Sequence, residues 1–111
     1  MRKMLTIAVA LAAALFITSS AYAKTPMPVE AKKGGCVACH SVEKKVVGPG
    51  WKDVAAKYKG DAGARDHLIN KIKKGGKGVW TEITGGAPMP PYSPRVKDAD
   101  IEKLVDFILA L

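Results

Sequence analysis

Apolar side chains are spread along this chain in two different ways. Residues 4–17 form a nearly unbroken uncharged run, interrupted only by Thr6, and 17 of the first 23 side chains are hydrophobic. Beyond that run, apolar positions recur at helical spacing in short segments punctuated by glycine and proline. Residues 29–33 read as a short helix, preceded by Pro26 and Pro28 and stopped by Gly34 and Gly35. Residues 51–59 place Trp51, Val54, Ala55 and Tyr58 three or four apart and end at Gly60. Asp61 is the expected cap of a third helix, with Arg65, Leu68, Ile69 and Ile72 on one side and Gly75-Gly76 at its close. Residues 75–94 hold five glycines and four prolines in twenty positions, which predicts a loop rather than a helix or a central strand. The last segment has Asp98 as the expected N-cap, Asp100 and Glu102 near the positive helix end, and a stripe of Ile101, Leu104, Val105, Ile108 and Leu109. No alternating strand pattern or repeat occurs in residues 24–111. The expected fold class is all-α, with about four short helices.

The apolar start has the marks of an export signal. Arg2 and Lys3 supply a positive head, and Ala21-Tyr22-Ala23 supplies the small-x-small cleavage pattern. The expected division is therefore a cleaved signal peptide at 1–23 and one domain at 24–111, with the mature protein in a periplasm. An uncleaved membrane anchor is the competing reading, but about 14 apolar residues fall short of the roughly 20 that span a bilayer.

Composition then changes the picture of the core. The 111-residue chain is 48% hydrophobic, but removing the leader lowers that share, and the whole chain has only two Phe and two Trp. A domain of roughly 90 residues with so thin a core needs a staple, a metal or a large apolar cofactor. Without Arg2 and Lys3, sixteen Lys and Arg face ten Asp and Glu. The positive residues are scattered among acids and no groove-reading motif is present, so nucleic acid is not an expected partner. A basic face for an acidic protein partner and a plain solubilising surface both fit this balance.

Candidate chemistry is concentrated in Cys36-Val37-Ala38-Cys39-His40. This is C-x-x-C-H, the attachment signal for c-type haem. Two intervening residues bring both sulfurs within reach of the vinyl groups on one porphyrin edge, for two thioether bonds. The following His40 then lies beneath the iron and can ligate it through Nε2, with the covalent tether raising its effective concentration. Two other readings of the cysteines are a redox disulfide, which lacks a βαβ context here, and a zinc site with His67, which lacks a convincing fourth ligand.

Whether such a protein carries electrons or reacts with substrate depends on the sixth iron position. Met27, His67 and Met89 are the candidates. Met89 is favoured because Pro88, Pro90 and Pro91 restrict its backbone and keep it out of a helix. Met27 near the terminus is expected to be exposed, and His67 beside Arg65 and Asp66 is expected at the surface. With imidazole and thioether in place there is no open position for oxygen or peroxide, so an enzyme is not expected. The Pro49 carbonyl can accept a hydrogen bond from His40 Nδ1, or Gly48-Pro49-Gly50 is only a turn. Trp80 can donate to a haem propionate or pack in the core, and Lys71 can balance propionate charge or lie solvated.

Taken together, Gly35 to His40, Val47-Gly48-Pro49, residues 52–58, Gly78-Val79-Trp80 and Pro88-Met89-Pro90-Pro91 resemble the short bacterial class I cytochromes c, in particular the small periplasmic carriers of the five-fifty-one type. The resemblance covers nearly all of residues 28–111. It implies an all-α fold around one covalent haem c, His40 and Met89 as axial ligands, and single-electron shuttling between respiratory complexes. It also implies Pro49 as the ligand-supporting proline, Trp80 as a propionate partner and Trp51 as an aromatic near the haem edge. Four features depart from the pattern. Ala31 stands where the family's first helix usually carries an aromatic that packs on the last helix, here opposite Phe107. Residues 81–87 lengthen or alter the segment before Pro88. Tyr92 replaces an Asn that commonly bonds the methionine sulfur, and Lys71 replaces a frequent Arg. The partners expected are redox proteins with acidic docking faces, a membrane donor and a terminal reductase or oxidase. Lys44 and Lys45, with Lys73, Lys74 and Lys77, are the expected steering charges. A monomer without stable membrane insertion after cleavage completes the expectation.

Overall fold

The computed structural model describes residue 13 and residues 25–111. The proposed signal peptide therefore lies almost wholly outside the described residues. Among them there are five α-helices, one 3-10 turn and no strand: α1 Val29–Gly34, a 3-10 turn at Cys36–Ala38, α2 Trp51–Lys57, α3 Ala64–Lys74, α4 Thr81–Thr84 and α5 Asp98–Leu109. The only ladder-like pairings among them are two isolated bridges, His40 with Lys45 and Gly76 with Met89. None of the described helices is long and apolar enough to cross a membrane.

The longest of the described helices, α5, organises the rest. Its stripe of Ile101, Leu104, Val105 and Ile108 is at most 4% exposed and packs with Val54 of α2 and Leu68 and Ile69 of α3. Each such side chain withdrawn from water contributes about 1.5–3 kcal/mol before the entropy of ordering it is charged against it. The first helix also rests on α5, through Ala31, which is fully buried. The place of the missing aromatic partner is taken from another direction: Phe107 meets Trp51 edge-on, with ring centroids 5.9 Å apart.

Several local expectations are corrected. Residues 51–59 are helical only to Lys57, where Tyr58 closes the helix. The third helix begins at Ala64, because Asp61 Oδ1 accepts from the Gly63 N–H at 2.8 Å in the preceding turn and does not cap the helix itself. Asp98 is already helical: Lys97, with extended backbone, holds the N-cap position and no side chain caps it. Residues 75–94 are not free of helix, since α4 forms one turn in which the Trp80 carbonyl accepts from Ile83 and Thr84. Met27 is half-buried and packed against the core rather than exposed.

Candidate functional site

The C-x-x-C-H segment begins where α1 stops. Gly35 takes a left-handed conformation, φ 78°, which ends α1 and opens the 3-10 turn. The Cys36 carbonyl then accepts from both Cys39 N–H at 3.1 Å and His40 N–H at 2.9 Å, so the two thiols and the imidazole share one tight turn. Cys36 is buried and Cys39 half-buried. Burial pushes the Cys36 thiol pKa up, with the neighbouring Cys39 adding to the rise and a backbone hydrogen bond opposing it.

His40 is held from three sides. Its Nδ1 lies 2.8 Å from the Pro49 carbonyl oxygen. A carbonyl only accepts, so Nδ1 carries the proton and Nε2 keeps its lone pair. Trp51, 4% exposed, tilts against the ring at 5.8 Å between centroids. On the remaining side the ring lies over Gly48, where a Cβ would stand 2.5 Å from Cε1. Burial lowers the imidazole pKa, against the opposing pull of the Pro49 carbonyl, and so favours the neutral form that can bind a metal.

Met89 arrives on a separate strap. It exchanges two backbone hydrogen bonds with Gly76, Gly76 N–H to Met89 O at 2.8 Å and Met89 N–H to Gly76 O at 3.1 Å. Gly75, at φ 66°, lies so close that a Cβ there would run into the Met89 carbonyl. Further along, Tyr92 N–H donates to Ile72 O and Ser93 N–H to Lys73 O, fastening the strap to the end of α3.

Every site residue taken from the sequence lines one cavity: Cys36, Cys39, His40, Pro49, Trp51, Lys71, Trp80 and Met89. Its space, with the open solvent at its mouth included, is about 1040 Å³. Leu68, Ile72, Leu104 and Ile108 make the remaining wall largely apolar. Two thiols, a neutral imidazole and a thioether around such a cavity fit a haem, since the donors suit iron and the wall suits a porphyrin. The alternative zinc site is not formed: His67 is exposed, stacks near Tyr58 at 5.5 Å, and does not line the cavity.

One support of the site was missed by sequence reasoning. Gly48 cradles the His40 ring, and the signal for it was only a glycine beside a proline. Tyr92, 7% exposed, is a wall of the cavity, backed by Arg95 over its ring at 4.9 Å. Burial raises its phenol pKa, with Cys36 and Cys39 adding to the effect. Lys71 donates its ammonium to the Gly76 and Lys77 carbonyls, at 2.7 and 2.8 Å, in exposed hydrogen bonds. Trp80 is half-buried, with Lys57 Nζ 5.7 Å from its ring.

A helical shell closed around an apolar cavity, with sulfur and imidazole donors converging on it, defines a small all-α protein built to hold an apolar prosthetic group. Comparison with known proteins makes the class specific. The cytochrome c family model matches residues 19–111. Cytochrome c-551 of Allochromatium vinosum is 53% identical over 83 residues, 75% of this chain and 83% of that protein. Cytochrome c-552 of Nitrosomonas europaea is 48% identical over 100 residues, covering 90% of this chain and 89% of its own. The crystal structure of wild-type Nitrosomonas europaea cytochrome c552 matches with a TM-score of 0.66 at 52% identity, over 74% of this chain and 95% of that one. The chain belongs to the cytochrome c family, as a small class I member of the c551 type. With that membership come a covalently attached haem c and the role of electron carrier rather than enzyme.

Proposed function

We propose that this protein is an exported, periplasmic single-electron carrier in which Cys36 and Cys39 tether the haem and His40 and Met89 ligate its iron. It passes electrons from a membrane donor to a terminal reductase or oxidase. The convergence of these four side chains on one apolar cavity carries the reading. When bound, haem supplies a one-electron ferric/ferrous couple. The chain's own residues set its working conditions. Pro49 fixes the tautomer that leaves His40 Nε2 available as a ligand. The Met89 thioether is a soft donor that favours the reduced ion, and the apolar wall disfavours the extra charge of the oxidised one. Both effects raise the reduction potential. Leu68, Ile72 and Tyr92 exclude water from the cavity side, so the surroundings reorganise little when charge changes.

Residues 1–23 act as the signal peptide, and the mature domain at 24–111 works as a monomer. Docking uses the rim near Cys36 and Cys39, where Val37, Val46 and Val47 are about half exposed and Lys44 and Lys45 are exposed. Lys73 is a weaker steering charge than Lys74 or Lys77, because Asp98 pairs with it at 3.3 Å.

Met89→Ala tests the ligand assignment. The expected result is loss of the weak long-wavelength sulfur-to-iron band, a lower potential, and carbon monoxide binding to the reduced protein. An unchanged spectrum and potential would show that another group ligates the iron.

A further inference from the structure

Lys71 stands in the last turn of α3, and the chain that follows folds back on it. Its carbonyl accepts the Gly75 N–H at 2.8 Å. Its Nζ donates to Gly76 O at 2.7 Å and to Lys77 O at 2.8 Å. A Cβ on Gly78 would lie 3.2 Å from the same Nζ, so the loop closes tightly around the ammonium. Three consecutive residues are thus tied to Lys71, Gly75 through the Lys71 backbone carbonyl and Gly76 and Lys77 through its ammonium. The middle one, Gly76, is also the residue that exchanges two backbone hydrogen bonds with Met89.

The loop is poorly suited to hold this shape unaided. Gly75 and Gly76 have φ of 66° and 97°, and Gly78 follows, so the segment has great backbone freedom once released. An ammonium offers three compact donors, which suits two converging carbonyls, and hydrogen bonds from a charged donor are the stronger kind. A cation at this end of α3 also meets the negative end of the helix dipole. Charge alone would be served as well by an unbonded lysine, whereas the ammonium of this one, though exposed, donates to two carbonyls of the same loop.

We propose that Lys71 is a positioning residue, a latch whose ammonium on the Gly76 and Lys77 carbonyls fixes the loop that pairs with Met89. Its consequence for the iron rests on the reading of Met89 as a ligand. Its consequence for the backbone does not.

Lys71→Met keeps the aliphatic stem and removes the donor. In haem-loaded protein, amide hydrogen exchange at Gly76 and Met89 should become about tenfold faster, equivalent to ~1.4 kcal/mol, while Trp51 and Ile101 amides keep their protection. Imidazole should bind the ferric protein about tenfold more tightly, because the strap releases Met89 more often. Faster exchange at the two amides without tighter imidazole binding would support the latch and count against Met89 as the ligand. Unchanged exchange there, with only a fall in reduction potential, would overturn the proposal and make Lys71 a charge partner of the haem. A uniform acceleration that includes Trp51 and Ile101 would overturn it too, by reducing Lys71 to a general contributor to stability.

Discussion

Adding one methyl group at Gly48 is the sharpest probe of how His40 is held. The Cβ of Gly48→Ala would stand 2.5 Å from His40 Cε1 and 3.0 Å from both ring nitrogens. Carbon atoms in favourable contact lie about 3.5–4.0 Å apart, so the ring must move by roughly 1 Å or the loop must give way. The ring has little room, since Trp51 is against it and Nδ1 is bonded to Pro49. Overpacking of this kind costs about 1–3 kcal/mol, and stretching the Nδ1 hydrogen bond adds about 1 kcal/mol. A loss of about 2 kcal/mol would lower the thermal midpoint of a domain this small by roughly 8–16 °C. Gly63→Ala is the matched control. Its φ is −89°, and an added Cβ would meet only Asp61 Oδ1 at 3.5 Å, an ordinary contact. Lower entropy in its unfolded chain should leave it neutral or more stable by about 0.4–1 kcal/mol. Thermal unfolding of both holoproteins, followed at the haem absorbance and by far-ultraviolet circular dichroism, measures the difference. If Gly48→Ala is as stable as Gly63→Ala, with an unaltered haem spectrum, the cradle argument is refuted.

Two further outcomes follow from the surface charges. Arg65 grips Asp106 with two hydrogen bonds, at 2.8 and 3.3 Å, and this bonding holds the Asp106 carboxyl below its ordinary 3.8. A depressed acid stabilises above its unfolded pKa and loses that contribution as pH falls through the lowered folded value, so Asp106→Asn should flatten part of the acid limb of unfolding as pH falls below the ordinary 3.8; an unchanged limb would remove the pair from the acid response. Electron transfer to an acidic redox partner should slow as ionic strength rises from about 0.01 to 0.15 M, and replacing Lys44 and Lys45 by Gln should weaken that dependence. A flat rate in stopped-flow measurements would defeat the steering argument.

The parts of the fold that sequence made legible are those whose cause is local. The apolar stripe of α5 appears in the sequence because burial on one face of a helix imposes its own period. The same reasoning misplaced the start of that helix by one residue. Asp98 and Asp100 stand in the first turn, where a negative charge suits the dipole, and the sequence alone does not separate that role from capping. The helix α4 was hidden for a different reason. Four residues are too few to show a period, and the turn depends on the Trp80 carbonyl at one end and left-handed Gly85 at the other. At Ala31 the first helix is buried without an aromatic, while Phe107 turns to Trp51.

At the site, legibility divides along the same physical line. C-x-x-C-H is readable because its donors must share one turn, and Met89 stands out because the prolines around it act on their immediate neighbours. The holding groups come from pairs distant in sequence. Gly76 and Met89, or Gly48 and the His40 ring, acquire meaning only once the chain has brought them together, and a missing Cβ leaves no chemical sign in a sequence. Trp51 joins the two kinds of information. Its indole touches the His40 ring on one side and Phe107 of α5 on the other, at 5.8 and 5.9 Å. Through Phe107, the seating of α5 therefore also bears on the wall against which the imidazole leans. Loosening the helix packing and tilting His40 are consequently one structural event, so core stability and the geometry of the site should rise and fall together.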